Sequence, residues 1–168
     1  MQNAGGAKFN YKFHLGGLFN RQGSMIYKND KSLSWNKKNM VWSDGKTAWF
    51  LDRKKRVVKI LDPGTDRKGL KGIDGQFTSL QKDYTLSMTV EGDLYKVKLR
   101  AANKNADAKE AYVFIDRKTY VPTTIKVKIA FCWGTIDITN FETANYPDEM
   151  FTFPAKRFPG VKIVDKRK

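Results

Sequence analysis

The chain has one cysteine, Cys132, and one histidine, His14, in 168 residues. A lone cysteine forms no intramolecular disulfide, and a protein without disulfides is as admissible outside the cytosol as inside it. One histidine with no cysteine or paired carboxylates near it in sequence offers no zinc spacing and no partner for a nucleophile. It reads as a solvent-side residue, opposite Phe13 and Leu15. No apolar run approaches the roughly 20 residues that a membrane-spanning helix needs. Residues 1–6 have neither the basic nor the apolar region of an export leader, so the chain reads as cytosolic, or as exported and lacking its leader. No glycine-rich phosphate loop links a strand to a helix, and no serine sits at a nucleophile elbow. Asp44, Asp52, Asp62 and Asp116 fall at turns, where a short carboxylate serves backbone geometry. Catalysis is therefore unsupported, and nothing calls for a cofactor or a metal.

What the chain does have is positive charge, +15 net from 32 Lys and Arg against 17 Asp and Glu. Self-repulsion of that size is tolerated more easily beside an anionic partner or environment. Nucleic acid, anionic lipid headgroups and acidic polysaccharide are the candidate classes. The basic residues come in scattered twos and threes, a pattern that suits outward strand faces and turns better than one nucleic-acid stripe. Most aromatics alternate in step with Leu, Ile and Val and read as interior, so nucleic acid is the weaker candidate. An anionic membrane surface remains open.

Three of the four tryptophans, Trp35, Trp42 and Trp49, fall in or just before one hairpin. Asp44-Gly45 between two apolar-rich runs predicts a two-residue loop with Ser43 opposite Lys46. Met40, Trp42, Trp49 and Leu51 then share one face, and Val41, Ala48 and Phe50 the other. Which of these two walls faces a ligand is left open. Phe9, Tyr11, Phe13 and Leu15 alternate in a first strand at residues 8–15. Met25-Ile26-Tyr27 begins a second, and Leu33 and Trp35 sit in a short third. Tyr84, Leu86, Met88 and Val90 alternate, as do Tyr95, Val97, Leu99 and Ala101, then Ile125, Val127 and Ile129, with Pro122 at a strand start and a bulge expected at Gly134. The spacing predicts about eleven strands.

One stretch breaks this texture. Leu70, Ile73, Phe77 and Leu80 follow helical spacing within residues 62–82, and Gly72 and Gly75 inside it make the helix marginal unless its apolar stripe is docked. The expected fold is mainly β: a single domain over residues 1–168, with one large antiparallel sheet curled into an incomplete barrel to limit its edges and a short helical lid. Bulky apolar faces beneath such a cover suit a hydrophobic ligand.

Ser43-Asp44-Gly45-Lys46-Thr47-Ala48-Trp49-Phe50, the pattern from Gly23 through Lys28 to Trp35, and the ending Phe151-Thr152-Phe153 with Pro159-Gly160-Val161 and Asp165 resemble the LolA-like periplasmic carriers of outer-membrane lipoproteins. The likeness covers about residues 8 to 166. It implies an open half-barrel whose cavity takes lipoprotein acyl chains, loaded by an inner-membrane exporter and unloaded to an outer-membrane acceptor. It implies a periplasmic monomer that is not an enzyme. A sensor or scaffold on the same fold, binding a protein or an envelope-stress signal, is the alternative. On this reading the cavity is lined by Phe9, Tyr11, Phe13, Leu15, Met25, Tyr27, Leu33, Trp35, Met40, Trp42, Trp49, Leu51, Leu86 and Met88, with Leu70, Ile73, Phe77 and Leu80 in the lid. Two departures stand out. The family has a lid-tethering arginine where this chain has Asn29, and only seven residues precede the first strand where the family begins with a helix.

Overall fold

The computed structural model of the chain describes residues 5–17, 19–63, 84–102, 108–129 and 131–167. Its strands are β1 (Gly6–Leu15), β2 (Phe19–Lys28), β3 (Lys31–Trp35), β4 (Asn39–Ser43), β5 (Ala48–Asp52), β6 (Val57–Leu61), β7 (Tyr84–Glu91), β8 (Leu94–Ala101), β9 (Ala108–Asp116), β10 (Pro122–Ile129), β11 (Cys132–Ala144) and β12 (Lys162–Asp165). Two 3₁₀ turns, Asp148–Phe151 and Ala155–Arg157, precede the last strand. The protein is mainly β, as the alternation predicts, with twelve strands in the order β12-β6-β5-β4-β3-β2-β1-β11-β10-β9-β8-β7. This sheet is open, with β12 and β7 at the two ends of the order. β12 joins β6 in parallel, an exception to the antiparallel pairing of the hairpins. The proposed lid residues Leu70, Ile73, Phe77 and Leu80 lie outside the described residues.

Turn chemistry sets the registers. Asp44 Oδ1 accepts the backbone N–H groups of Lys46 and Thr47 at 2.9 and 2.7 Å. The loop therefore takes four residues rather than the predicted two, and Ser43 pairs with Ala48, Trp42 with Trp49 and Met40 with Leu51. The slip from the predicted pairing is two residues, an even number, so every side chain keeps its face. The same device recurs elsewhere. Asn36 Oδ1 caps Lys38 and Asn39, Asp52 caps Lys55, and Asp116 caps Lys118 and Thr119. No bulge at Gly134 interrupts the β10–β11 ladder, where Gly134 pairs in regular register with Val127. The irregularities fall instead between β9 and β10, at Pro122/Thr124, where proline withholds a ladder hydrogen bond, and at Val127/Ile129.

The chain divides into two compact units, residues 1–8, 23–75 and 142–168 in unit 1, and residues 9–22 and 76–141 in unit 2. The core of unit 1 is Ile26, Leu33, Trp42, Leu51, Val58 and Phe151. Phe151 comes from the C-terminal segment, which lays Phe153, Phe158 and Val161 over the same cluster. Phe153 and Phe158 meet the Trp42 ring edge-on at 5.3 and 5.7 Å. Each such aromatic pair is worth about 0.5–1.5 kcal/mol beyond the area it buries.

Polar groups fasten the segment at its ends. Lys28 Nζ donates to Tyr146 O at 2.8 Å and to Asp148 Oδ1 at 2.9 Å, and Lys31 Nζ donates to Asp148 Oδ2. Arg56 Nη2 donates to Pro159 O at 2.7 Å. The hydrogen bonds from Lys31, then Lys28, hold the Asp148 carboxyl below its ordinary 3.8.

Two measurements check this arrangement. Phe151 is completely buried, so Phe151→Ala should lower the urea-unfolding free energy by about 3–5 kcal/mol; a change under about 1 kcal/mol would mean that the segment does not hold the core. A carboxylate whose folded pKa is depressed contributes stability above its unfolded value and loses it as pH falls through the folded one. Acidification below pH 3.8 should therefore loosen the C-terminal segment, read as a shift in tryptophan fluorescence. Asp148→Asn should remove that acid-sensitive component and lower the stability at neutral pH.

Candidate functional site

In unit 1 the predicted cavity residues divide between two faces. Leu33 pairs with Trp42 and Trp35 with Met40, and Trp49 and Leu51 complete that wall. Trp42 and Leu51 are each only 2% exposed beneath the C-terminal aromatics, and Trp35, Met40 and Trp49 pack half-buried around them. Met25 and Tyr27 lie on the opposite face with Ser34, Val41 and Phe50. There Met25 and Ser34 are buried, while Val41 and Phe50 are half-buried.

Asn29 occupies the two-residue turn between Lys28 and Lys31. Its φ of 55° lies in the left-handed region, which asparagine adopts far more readily than arginine. Turn geometry thus accounts for an asparagine at this position. The neighbouring cation, Lys28, holds the C-terminal segment.

In unit 2 the strands carry an apolar face in unbroken rows. One row runs Ile136, Ile125, Val113, Val97 and Met88 through β11, β10, β9, β8 and β7, and the next runs Gly134, Val127, Ala111, Leu99 and Leu86. Their centre is closed to solvent, with Ala111, Ile125, Val127 and Ile136 buried. Their β7 end is open, with Leu86 68% and Met88 63% exposed and Val90 exposed beside them. His14 Nε2 stands 3.5 Å from Asp137 on the opposite face, which places Phe9, Tyr11, Phe13 and Leu15 on the apolar side. Phe9 and Tyr11 are buried there. Phe9 stacks on Phe141 at 6.1 Å, just past Asn140, whose φ of 52° interrupts the alternation of β11.

The apolar face therefore unites the unit 2 candidates Phe9, Tyr11, Phe13, Leu15, Leu86 and Met88. Val97, Leu99, Ile125, Val127 and Ile136 join them, although alternation alone did not assign these five to a cavity. Their period in sequence was the available signal, and only the strand pairing shows that they continue the rows of β7.

The opposite face of unit 2 is basic and aromatic. Lys96 Nζ lies 4.9 Å from the Tyr112 ring centre and 5.8 Å from that of Phe114, Lys98 lies 5.5 Å from Tyr112, and Lys126 lies 5.6 Å from Phe114. These rings alternate with Val113 and Ile115 and share a face with the lysines. Tyr112 donates its hydroxyl to Glu110, and this hydrogen bond, with Lys98 nearby, holds the Glu110 carboxyl below its ordinary range. His14 bridges Asn20 and Asp137 at the surface of this face. Among the described residues, no three His, Cys, Asp or Glu side chains converge as a metal site, and no buried side-chain nitrogen or oxygen lacks a hydrogen-bond partner.

The chain is similar to several solved structures. An uncharacterised conserved protein from Thermus thermophilus superposes with a TM-score of 0.61 at 8% identity, over 98% of this chain and 92% of that one. A LolA superfamily protein from Nitrosomonas europaea gives 0.48 at 10% identity, over 92% of each chain. A putative outer membrane lipoprotein-sorting protein domain from Vibrio parahaemolyticus gives 0.47 at 8%, over 90% of this chain and 91% of that one. Comparison with curated proteins finds no match. Residues 1–130 match the sequence profile of the outer membrane lipoprotein carrier protein LolA, and the chain belongs to that family.

Proposed function

We propose that the protein is a non-enzymatic carrier that binds the acyl chains of lipoproteins, or a closely related lipid, in the periplasm and delivers them toward the outer membrane. The observation that carries this reading is the apolar face of unit 2, whose rows pass from a buried centre to the exposed Leu86, Met88 and Val90 of β7. An acyl chain is a flexible apolar rod. A strand edge with bulky aliphatic side chains spaced two residues apart offers such a rod a continuous contact line and no hydrogen-bond partners to satisfy. Membership of the carrier family supports the same direction. An exporter that loads the protein and an acceptor that unloads it follow as its partners.

Displacement of a fluorescent fatty acid tests the reading. The wild-type protein should bind the probe and release it to lipopeptide. Leu86→Asp with Met88→Asp should weaken binding by about 3 kcal/mol, roughly a hundredfold in Kd, because two aliphatic contacts are lost. Both side chains are exposed, so the fold should survive the change. Absence of probe binding by the wild type, or unchanged binding by the double variant, overturns the proposal.

A further inference from the structure

The β10–β11 turn ends in the most exposed large apolar side chain of the described residues, Phe131, at 98%. Trp133 follows two residues later, more than a third exposed, with Lys128 Nζ 5.9 Å from its ring centre. β1 runs antiparallel beside β11, since His14 meets Asp137 and Phe9 meets Phe141, so the β1–β2 turn lies at this same end of unit 2. That turn presents Phe19, also exposed, with the Arg21 guanidinium 5.4 Å from its ring centre. Two neighbouring strand ends of unit 2 thus place partly exposed rings beside cations, Trp133 packed on Tyr112 at 5.5 Å and Phe19 edge-on to Phe13 at 6.0 Å, while Phe131 protrudes. The cations above them are unevenly engaged. Lys96 and Lys98 are paired with Glu91 and Glu110, whereas among the described residues no carboxylate pairs with Lys126 or Lys128.

We infer that this end of unit 2 is a docking rim for an anionic bilayer surface, with Phe131 and Trp133 entering the headgroup boundary and Lys126, Lys128 and Arg21 resting on the lipid phosphates. Indole and phenyl rings flanked by lysine and arginine settle where apolar chains meet charged headgroups, and basic residues add attraction to anionic lipid. The net charge of +15 acts in the same sense. A nucleic acid fits less well. Base stacking needs open ring faces in file along a backbone groove, and the rings of this sheet face, Tyr112 and Phe114, are half-buried with lysines laid against them. The rim is separate from the Leu86 and Met88 contact line and stands whether or not that line binds lipid.

Co-flotation of the full chain with vesicles tests it, using phosphatidylcholine alone and phosphatidylcholine mixed with phosphatidylglycerol, each with and without saturating palmitate. Binding should require the anionic lipid, weaken with added salt and persist with palmitate. Phe131→Ser with Trp133→Ser, and separately Lys126→Glu with Lys128→Glu, should each lower the partition coefficient by about tenfold or more. Probe binding at the Leu86 and Met88 line should be unchanged in both, which also certifies their fold. No flotation of the wild type, flotation of both variants equal to that of the wild type, or loss of binding on adding palmitate overturns the proposal. So does tighter binding to single-stranded DNA that depends on the same residues, which would make the rim a nucleic-acid surface.

Discussion

Successive side chains of a strand point to opposite faces, so a sheet whose strands are apolar on both sides must find a cover for each. Unit 1 meets this demand on one of its faces from within its own chain. The wall of Leu33, Trp42 and Leu51 is closed by Phe151, Phe153 and Phe158, from a segment about one hundred residues downstream. Closure needs both parts of the contact. The rings supply most of the attraction, since Phe151 is fully buried and Trp42 nearly so. The Lys28, Lys31 and Arg56 bonds to the segment fix where it lands. These bonds are largely exposed, so each contributes little on its own, and position is their main effect.

Unit 2 meets the demand incompletely. Its apolar rows are buried at Ile125, Val127 and Ile136 and open at β7. The strand of eight residues at this end of the order, Tyr84-Thr85-Leu86-Ser87-Met88-Thr89-Val90-Glu91, has no proline and no lysine, two of the residues that commonly blunt a sheet edge. β12, at the other end of the order, is only four residues long and carries two charges. The contrast between the two edges is why the functional reading rests on β7.

Much of this arrangement is legible in the amino-acid sequence. Alternation assigns Met40, Trp42, Trp49 and Leu51 to one face correctly even though the loop length is wrong, because the extra pair of loop residues recruited by Asp44 shifts the register by two. An odd shift would have exchanged the walls. The turn aspartates Asp44, Asp52 and Asp116 act as their positions imply. Two other features were not legible. Which wall of the hairpin is already covered depends on contacts between residues as distant as Lys28 and Asp148, and no local period encodes them. The general expectation that most aromatics are interior does not hold for Tyr112, Phe114 and Trp133, which are half-buried or exposed. Their strand parity sets them with Lys96, Lys98, Lys126 and Lys128, so parity rather than hydrophobicity was the informative signal.

The uneven burial of the apolar face bears on how a lipid could be both held and released. Transfer of an acyl chain to an apolar surface gains about 0.8 kcal/mol per CH₂, so a fully enclosed chain of sixteen carbons would gain on the order of 12 kcal/mol, a nanomolar association or tighter. Only surface that is wet in the ligand-free protein contributes on the protein's side, however. Ala111, Ile125 and Val127 are already dry and add nothing further when a ligand arrives, whereas Leu86, Met88 and Val90 still have area to lose. A chain seated along β7 alone keeps one flank in water and gains only part of the full transfer energy. For the carrier proposed above, partial enclosure of this kind would set an affinity from which an acceptor with a deeper apolar site draws the cargo without an external energy source, since the difference in buried area between the two sites is itself the driving force.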